Sequence, residues 1–311
     1  MDENTILLID VFPERDNTAK RVFDDVKMST SILITKKSKI SRSIDMGISY
    51  KKEINLKNRT KFHLHELYKL NDDLYQIPLV DRISLNLLIK CFSIKNVIKQ
   101  KSIAPCLTGE VDITFGKQAI SSNPNDSLLI KGVQIDRYVI KTKNNQISQG
   151  IIEYLDINEF RSLYSGEKLT HAQHQRLVLQ GLTGINEKRR LKCSITDDNM
   201  YLANSCNYIF HENTRVLKYL LGLLNSRLMN WIFKSKSTSS NVNGYEVDNL
   251  PIINFQKNRC VNNLIDIADQ ILQAKKSSLD TNTSSLEAEI DRMVYEFYGL
   301  TEEEIAIVEQ G

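Results

Sequence analysis

A chain of 311 residues, 41% hydrophobic and 25% charged, is long enough for two modest domains and too apolar to be disordered throughout. No apolar run reaches the ~18–20 residues that span a bilayer, and the start MDENTILLID lacks the basic segment of a secretion signal, so a soluble cytoplasmic protein is expected. The net charge of +3 hides a division: residues 1–257 hold 37 Lys/Arg and 27 Asp/Glu, and residues 258–311 hold 4 and 11. A basic body with an acidic tail suits a polyanion-binding surface from which the tail is kept away.

In chain order, Ile6–Ile9 and Ser31–Thr35 predict two short strands, which bury too little to stand alone and read as one edge of a larger sheet. Residues 38–75 are polar and lysine-rich and read as a linker with one short helix near His63–Leu70. From Gln76 the chain becomes mixed α/β. Leu87–Ile98 predicts a short helix, Gly109–Phe115 alternates as a strand, Ser122–Asp126 makes a turn and Leu128–Ile130 starts another strand. Arg176–Gln180 and Tyr201–Phe210 are further strands, separated by a basic loop that contains glycine.

Leu217–Phe233 predicts a single helix, with Leu217, Leu220, Leu221, Leu224, Leu228, Trp231 and Ile232 forming an apolar stripe that belongs to the core. The polar loop Ser235–Gly244 follows, and Asn249–Ile253 resumes an extended path. The tail is helical. Val261, Leu264, Ile265, Ala268, Ile271 and Leu272 line one face, and Ser284-x-x-Glu287 has the capping-box spacing that opens a second helix. Gly299 is placed to stop that helix and Thr301-x-x-Glu304 to cap a last one. The expected fold class is therefore α/β of the mixed α+β kind. A domain of mixed strands and helices over 76–256 is followed by a helical segment over 257–311, with two strands in 1–37 preceding the linker.

Catalytic signatures are missing. The twelve glycines form neither GxGxxG nor a P-loop, and there is no GxSxG or HExxH. Amino-methyltransferases acting on adenine need an [NDS]PP[YFW] loop; Asn123-Pro124-Asn125-Asp126 lacks the second proline and the aromatic and reads as a turn. The five cysteines, Cys91, Cys106, Cys193, Cys206 and Cys260, include no CxxC pair and read as reduced, mostly buried thiols. His63-x-His65 and His171-x-x-His174 have no carboxylate or thiol at metal-ligand spacing and read as surface histidines, the second pair able to face a phosphate.

Two loops could meet nucleic acid. Lys188-Arg189-Arg190-x-Lys192 offers guanidinium forks that match phosphates or the O6/N7 edge of guanine, against the ordinary alternative of a solvated loop. SKSTSSNVNGY (Ser235–Tyr245) offers hydroxyls and amides, against the alternative of a flexible linker.

Four segments, in order, resemble the C-terminal part of the TaqI-like N6-adenine DNA methyltransferases, in particular the fused restriction-and-modification enzymes called type IIG. IDVFPERDNTAKRVFDDVKMSTSILITKK (Ile9–Lys37) is similar to the last strands of the methyltransferase domain. LTGEVDITFGK (Leu107–Lys117) with SLLIKGVQIDRYV (Ser127–Val139) resembles the start of the target recognition domain. The stretch Arg176–Ile252 is the most specific match, and EAEIDRMVYEFYGLTEEEIAIVE (Glu287–Glu309) resembles the closing helices.

The resemblance implies a division into the end of a methyltransferase domain (1–37), a linker (38–75), a DNA target recognition domain (76–256) and a C-terminal helical segment (257–311). It implies sequence-specific recognition of double-stranded DNA for a bacterial restriction–modification enzyme, with no complete catalytic site and no activity of this chain alone. The cofactor S-adenosylmethionine, and Mg for any nuclease, are expected only in the full-length parent enzyme. The partners implied are duplex DNA and the methyltransferase or nuclease portion, in cis or in trans. On this reading Lys188, Arg189, Arg190 and Lys192 contact backbone or guanine, and Ser239, Asn241 and Asn243 lie near a groove. His171, His174 and Lys117 are further candidate DNA contacts. The alternatives are a specificity subunit of a type I system, an enzyme using an unrecognised site, and a protein-interaction module with an incidental basic face.

Overall fold

The computed structural model describes residues 5–37, 43–51, 53–57, 59–70, 76–255 and 261–311. Cys260 lies outside them. The chain divides into two compact units, 1–95 and 96–311.

In the first unit, strands β1 (Thr5–Phe12), β2 (Thr30–Lys36), β3 (Ser43–Ile48) and β4 (Arg59–His63) form a sheet in the order β2-β1-β3-β4. The two predicted strands are therefore joined by two more from the stretch read as a linker. That stretch escaped notice because its apolar residues are few: Ile44, Met46 and Phe62 alternate inward at no more than 1% exposure, between polar residues. Arg59 ties the strands across the sheet, 2.6 Å from Asp10 on β1 and 2.8 Å from Asp45 on β3. Helices α1 (Leu64–Leu70) and α2 (Arg82–Ser93) pack on each other, Leu67, Leu70, Leu85 and Leu88 turning inward. The outer strand β2 stays open, with Ile32, Leu33 and Ile34 each about half exposed.

The second unit begins with β5 (Val97–Lys99) and β6 (Cys106–Thr108), followed by β7 (Ile120–Ser121), β8 (Ser127–Ile130), β9 (Ile135–Asp136) and β10 (Val139–Ile140). Then come β11 (Glu153–Leu155), α3 (Ile157–Leu163), α4 (Glu167–His171), β12 (Leu177–Gln180), β13 (Cys193–Ile195), β14 (Tyr201–Leu202) and β15 (Cys206–Ile209). The chain closes with α5 (Thr214–Leu224), α6 (Arg227–Lys236), α7 (Gly244–Asp248), β16 (Pro251–Ile253), α8 (Val261–Ser277), α9 (Ser284–Phe297) and α10 (Glu302–Gln310).

Two four-stranded sheets, β14-β8-β11-β7 and β13-β12-β15-β6, are accompanied by the pairs β9–β10 and β5–β16. One core cluster gathers Val111, Leu129, Leu155, Phe160 and Tyr201, and a second gathers Ile130, Val178, Leu202, Cys206 and Tyr208. Helix α5 lies against β12 and β13 and carries α8 on its other side; its residues Val216, Leu217 and Tyr219–Leu224 are all buried, as befits a central helix. The mixed α/β class and the helical C-terminus are as expected from the sequence.

Three local readings change. Gly109–Phe115 is not a strand: Val111 makes a single bridge to Ala203, and the chain then turns because the Asp112 carboxylate accepts from the amides of Thr114 (2.8 Å) and Phe115 (3.1 Å). The single helix over Leu217–Phe233 is two. Asn225 ends α5 with its side chain bonding both the amide (3.1 Å) and the carbonyl (3.0 Å) of Cys193, and Ser226 leaves the helical path and caps α6 by accepting from Met229 N. The N-cap of α9 is Thr283, one residue before the predicted Ser284. The Thr301–Glu304 capping box forms as read, and Gly299 ends α9 with a φ of +59°.

Candidate nucleic-acid interface

Strands β12 and β13 are joined by the loop 181–192, and α6 is joined to α7 by the loop 237–243. About fifty residues apart in sequence, the two loops run side by side. Leu182 pairs with Asn241 in an antiparallel bridge, Thr183 N donates to Ser240 O (3.1 Å) and Val242 N donates to Gly181 O (2.9 Å). Gly181 lets the first loop lie against Ser205: a Cβ there would stand 2.6 Å from the Ser205 carbonyl oxygen, which its own amide bonds at 2.9 Å.

Arg190 fastens the pair from beneath. At 1% exposure it donates from Nη2 to Asn241 O (3.0 Å), from Nη1 to Ser237 Oγ (3.0 Å) and from Nε to Thr183 Oγ1 (3.4 Å). Its guanidinium lies 5.0 Å from the Phe233 ring centroid. Asn230 on α6 pins the loop further, bonding the amides of Arg190 (2.7 Å) and Leu191 (3.2 Å) and the carbonyl of Lys188 (3.0 Å).

The basic run is thus divided by burial. Arg190 faces inward and is corrected from a DNA contact to the clasp of the two loops, because its donors are taken up by oxygens of the fold. Arg189 is half-buried, with Nη1 enclosed and without a hydrogen-bond partner among the described residues, close to Asp291 and Glu287 of α9 and to Arg137 and Arg227. Lys188 is exposed. Lys192 is half-buried and 3.7 Å from Glu187. In the other loop Asn241 is exposed, its carbonyl used and its side-chain amide without a partner among the described residues. Ser239 accepts from Asn241 N (3.1 Å), and Asn243 caps α7, its amide nitrogen 2.9 Å from Glu246.

Several cations crowd together here, with Glu187 and Glu246 among them. Burial lowers the Arg190 guanidinium, and Glu246 opposes the shift. Burial lowers Lys234, and Arg190, Arg189 and Lys188 lower it further. Lys236 is pushed down to about 8 by burial, with Lys99 adding to the effect.

The remaining candidates lie elsewhere. Lys117 is exposed just past the Asp112 turn. His171 and His174 line an open cleft of about 680 Å³ with Glu167, Asp198, Phe210 and His211. His174 is exposed, but His171 is 7% exposed, stacked 4.2 Å from the Phe210 centroid with Nδ1 3.1 Å from Tyr208 Oη, and is corrected from a surface histidine to a buried one. The structure does not bring these three residues into the loop pair. His63 and His65 stack on each other at 5.6 Å in the first unit.

Sequence reasoning missed Leu182, 56% exposed in the loop pair, and Phe115, 80% exposed at the tip of the Asp112 turn. A leucine after a glycine and a phenylalanine in an alternating run both look like core residues, so no sequence signal marks them.

The acidic tail is not held apart from the basic body. Arg137 meets Glu287 at 2.6 Å, and Arg227 meets Asp291 at 3.1 Å and Glu309 at 3.4 Å.

Residues 127–252 match the TaqI-like C-terminal specificity domain. Both loops and their arginine clasp fall inside the matched stretch. Among solved structures, the fold is similar to that of the type IIL restriction–modification enzyme MmeI, solved in complex with DNA, with a TM-score of 0.52 and 13% identity, over 98% of this chain and 44% of that one. The type IIG restriction endonuclease BpuSI aligns with a TM-score of 0.41 and 11% identity over 94% of this chain and 44% of that one. The chain therefore spans less than half the length of either. Comparison with curated protein sequences finds no match. Among the described residues no group of three His, Cys, Asp or Glu is placed to hold a metal ion, and no helix is long and apolar enough to cross a membrane.

Proposed function

We propose that the chain recognises a specific duplex DNA sequence as the specificity portion of a bacterial restriction–modification enzyme of the type IIG kind, acting in the cytoplasm. The observation that carries the reading is the match of residues 127–252 to a specificity domain, within which two polar loops are paired, clasped and neighboured by several basic side chains. Exposed Lys188 gives phosphate contact, which supplies affinity and register, and the exposed side chains of the paired loops supply sequence choice. The DNA complex of MmeI, a protein of similar fold, supports the same assignment.

Methyl transfer and cleavage belong, on this reading, to a catalytic portion in cis or in trans. S-adenosylmethionine, and Mg for a nuclease, are cofactors of that portion. The open β2 strand, with apolar residues exposed on both faces, is consistent with a sheet that continues in such a partner.

Selection of bound duplexes from a random pool at two salt concentrations tests the proposal. Enrichment of one short motif, with affinity falling as salt rises, is the expected result. Binding without enrichment leaves only a basic surface, and no binding at low salt replaces the proposal with a protein-interaction module.

A further inference from the structure

A two-stranded ribbon fits the major groove of B-DNA, where side chains on its outward face reach the base edges. The paired loops 181–183 and 240–242 make such a ribbon, three residues on each side. The chemistry of its outward face is unusual for a surface. Leu182 is 56% exposed, and its bridge partner Asn241 is exposed, its side-chain amide without a partner among the described residues. The neighbouring residues are withdrawn: Thr183 and Val242 are buried at 5% and 2%. The ribbon therefore presents one apolar and one amide side chain, directly opposite each other across the two strands.

We propose that Leu182 and Asn241 together read one A·T base pair in the major groove. An asparagine amide offers a donor and an acceptor that match adenine N6 and N7, and an aliphatic side chain packs against the thymine methyl group. Guanine offers only acceptors on that edge and cytosine only a donor, so neither gives the two-point match, and neither carries the thymine methyl group. The loops are rigid enough to discriminate, because Arg190 bonds the Asn241 carbonyl from below, the two strands of the ribbon bond each other, Gly181 N donates to Ser205 O, and Asn207 donates to the Val242 carbonyl. Arg190 is thus a positioning residue, and its buried charge adds to the attraction for the flanking phosphates. This inference rests on the DNA-recognition reading above and adds the base class and the residues that read it.

The test repeats the random-duplex selection with the full chain and with Leu182→Ala and Asn241→Ala. Unchanged thermal unfolding of each is expected, since both side chains are exposed. The wild-type chain is expected to enrich a motif containing at least one invariant A·T pair. Each substitution is expected to relax discrimination at one and the same A·T position by about tenfold or more, leaving the other positions of the motif intact. A motif unchanged by both substitutions overturns the ribbon assignment while the recognition function stands. Relaxation at a G·C position overturns the A·T assignment. A wild-type chain that enriches no motif removes the recognition function and this inference with it.

Discussion

Arg176 and Arg190 lie at opposite ends of the β12–β13 pair, and both are withdrawn from water, at 0% and 1% exposure. Each rests over an aromatic ring, Arg176 4.6 Å from the centroid of Tyr208 and Arg190 5.0 Å from that of Phe233. Their partners differ. Arg176 makes a two-pronged pair with Glu110 at 2.8 and 3.1 Å and bonds Met200 O at 2.6 Å. Arg190 meets two hydroxyls and a carbonyl, and no carboxylate. One end of the hairpin is an electrically closed lock between strands. The other holds a charge bonded only to neutral oxygens beneath a polar surface, with Glu246 acting on it through space. Burial of an arginine thus marks either stability or function, and the partner decides which.

The largest effect should come from opening the closed end. Glu110→Ala leaves the Arg176 charge buried and unpaired and frees the Leu202 amide that Glu110 accepts at 2.9 Å. Urea unfolding should show a loss of about 3–5 kcal/mol. A loss no greater than that for Arg190→Met would mean the two arginines are equivalent, and would dissolve the contrast.

Arg190→Met should cost less, about 1–3 kcal/mol, because it removes hydrogen bonds to uncharged oxygens without stranding an ion. Its signature is local. Amide exchange at Thr183 and Val242 should quicken as the loops part, while exchange in β12 and β13 stays slow. Uniform quickening across the unit would make Arg190 a general core residue.

His171 sharpens the comparison from the closed end, since it bonds the Tyr208 on which Arg176 rests. Burial lowers its pKa, with Glu167 opposing. The unfolded chain therefore takes up this proton first, at its ordinary value of about 6.5, so stability should fall as pH drops through that range. His171→Gln should flatten the unfolding midpoint measured between pH 7 and 5. An equal slope in the variant would place the acid sensitivity elsewhere.

The smallest effect on stability, within ~0.5 kcal/mol, is expected for Lys188→Ala. The same change should lower the slope of log affinity against log salt by about 1. A shift in unfolding without a shift in salt slope would contradict its place at the surface.

What the sequence disclosed follows from range. Periodicity located α8, α9 and the buried Leu217–Ile232 stripe, because helix contacts repeat every three to four residues. It missed the break at Asn225, whose cause is a side chain bonding Cys193 thirty-two residues away. It missed β3 and β4, whose apolar content is too small to stand out until Arg59 and the neighbouring strands complete them. The two loops of the candidate interface were legible as polar and basic. Their pairing was not, nor was the inward turn of Arg190, since both depend on contacts between residues about fifty positions apart. Composition marked where a charged surface should lie, and tertiary structure chose which of its charges face water.

The central claim is that this chain distinguishes one duplex sequence from others. It is tested most directly by measuring affinity for a selected duplex and for its scrambled counterpart across a salt series. The account predicts that both affinities fall as salt rises while the selected duplex stays tighter, by about a thousandfold or more at physiological salt. Equal affinities at every salt concentration would contradict it.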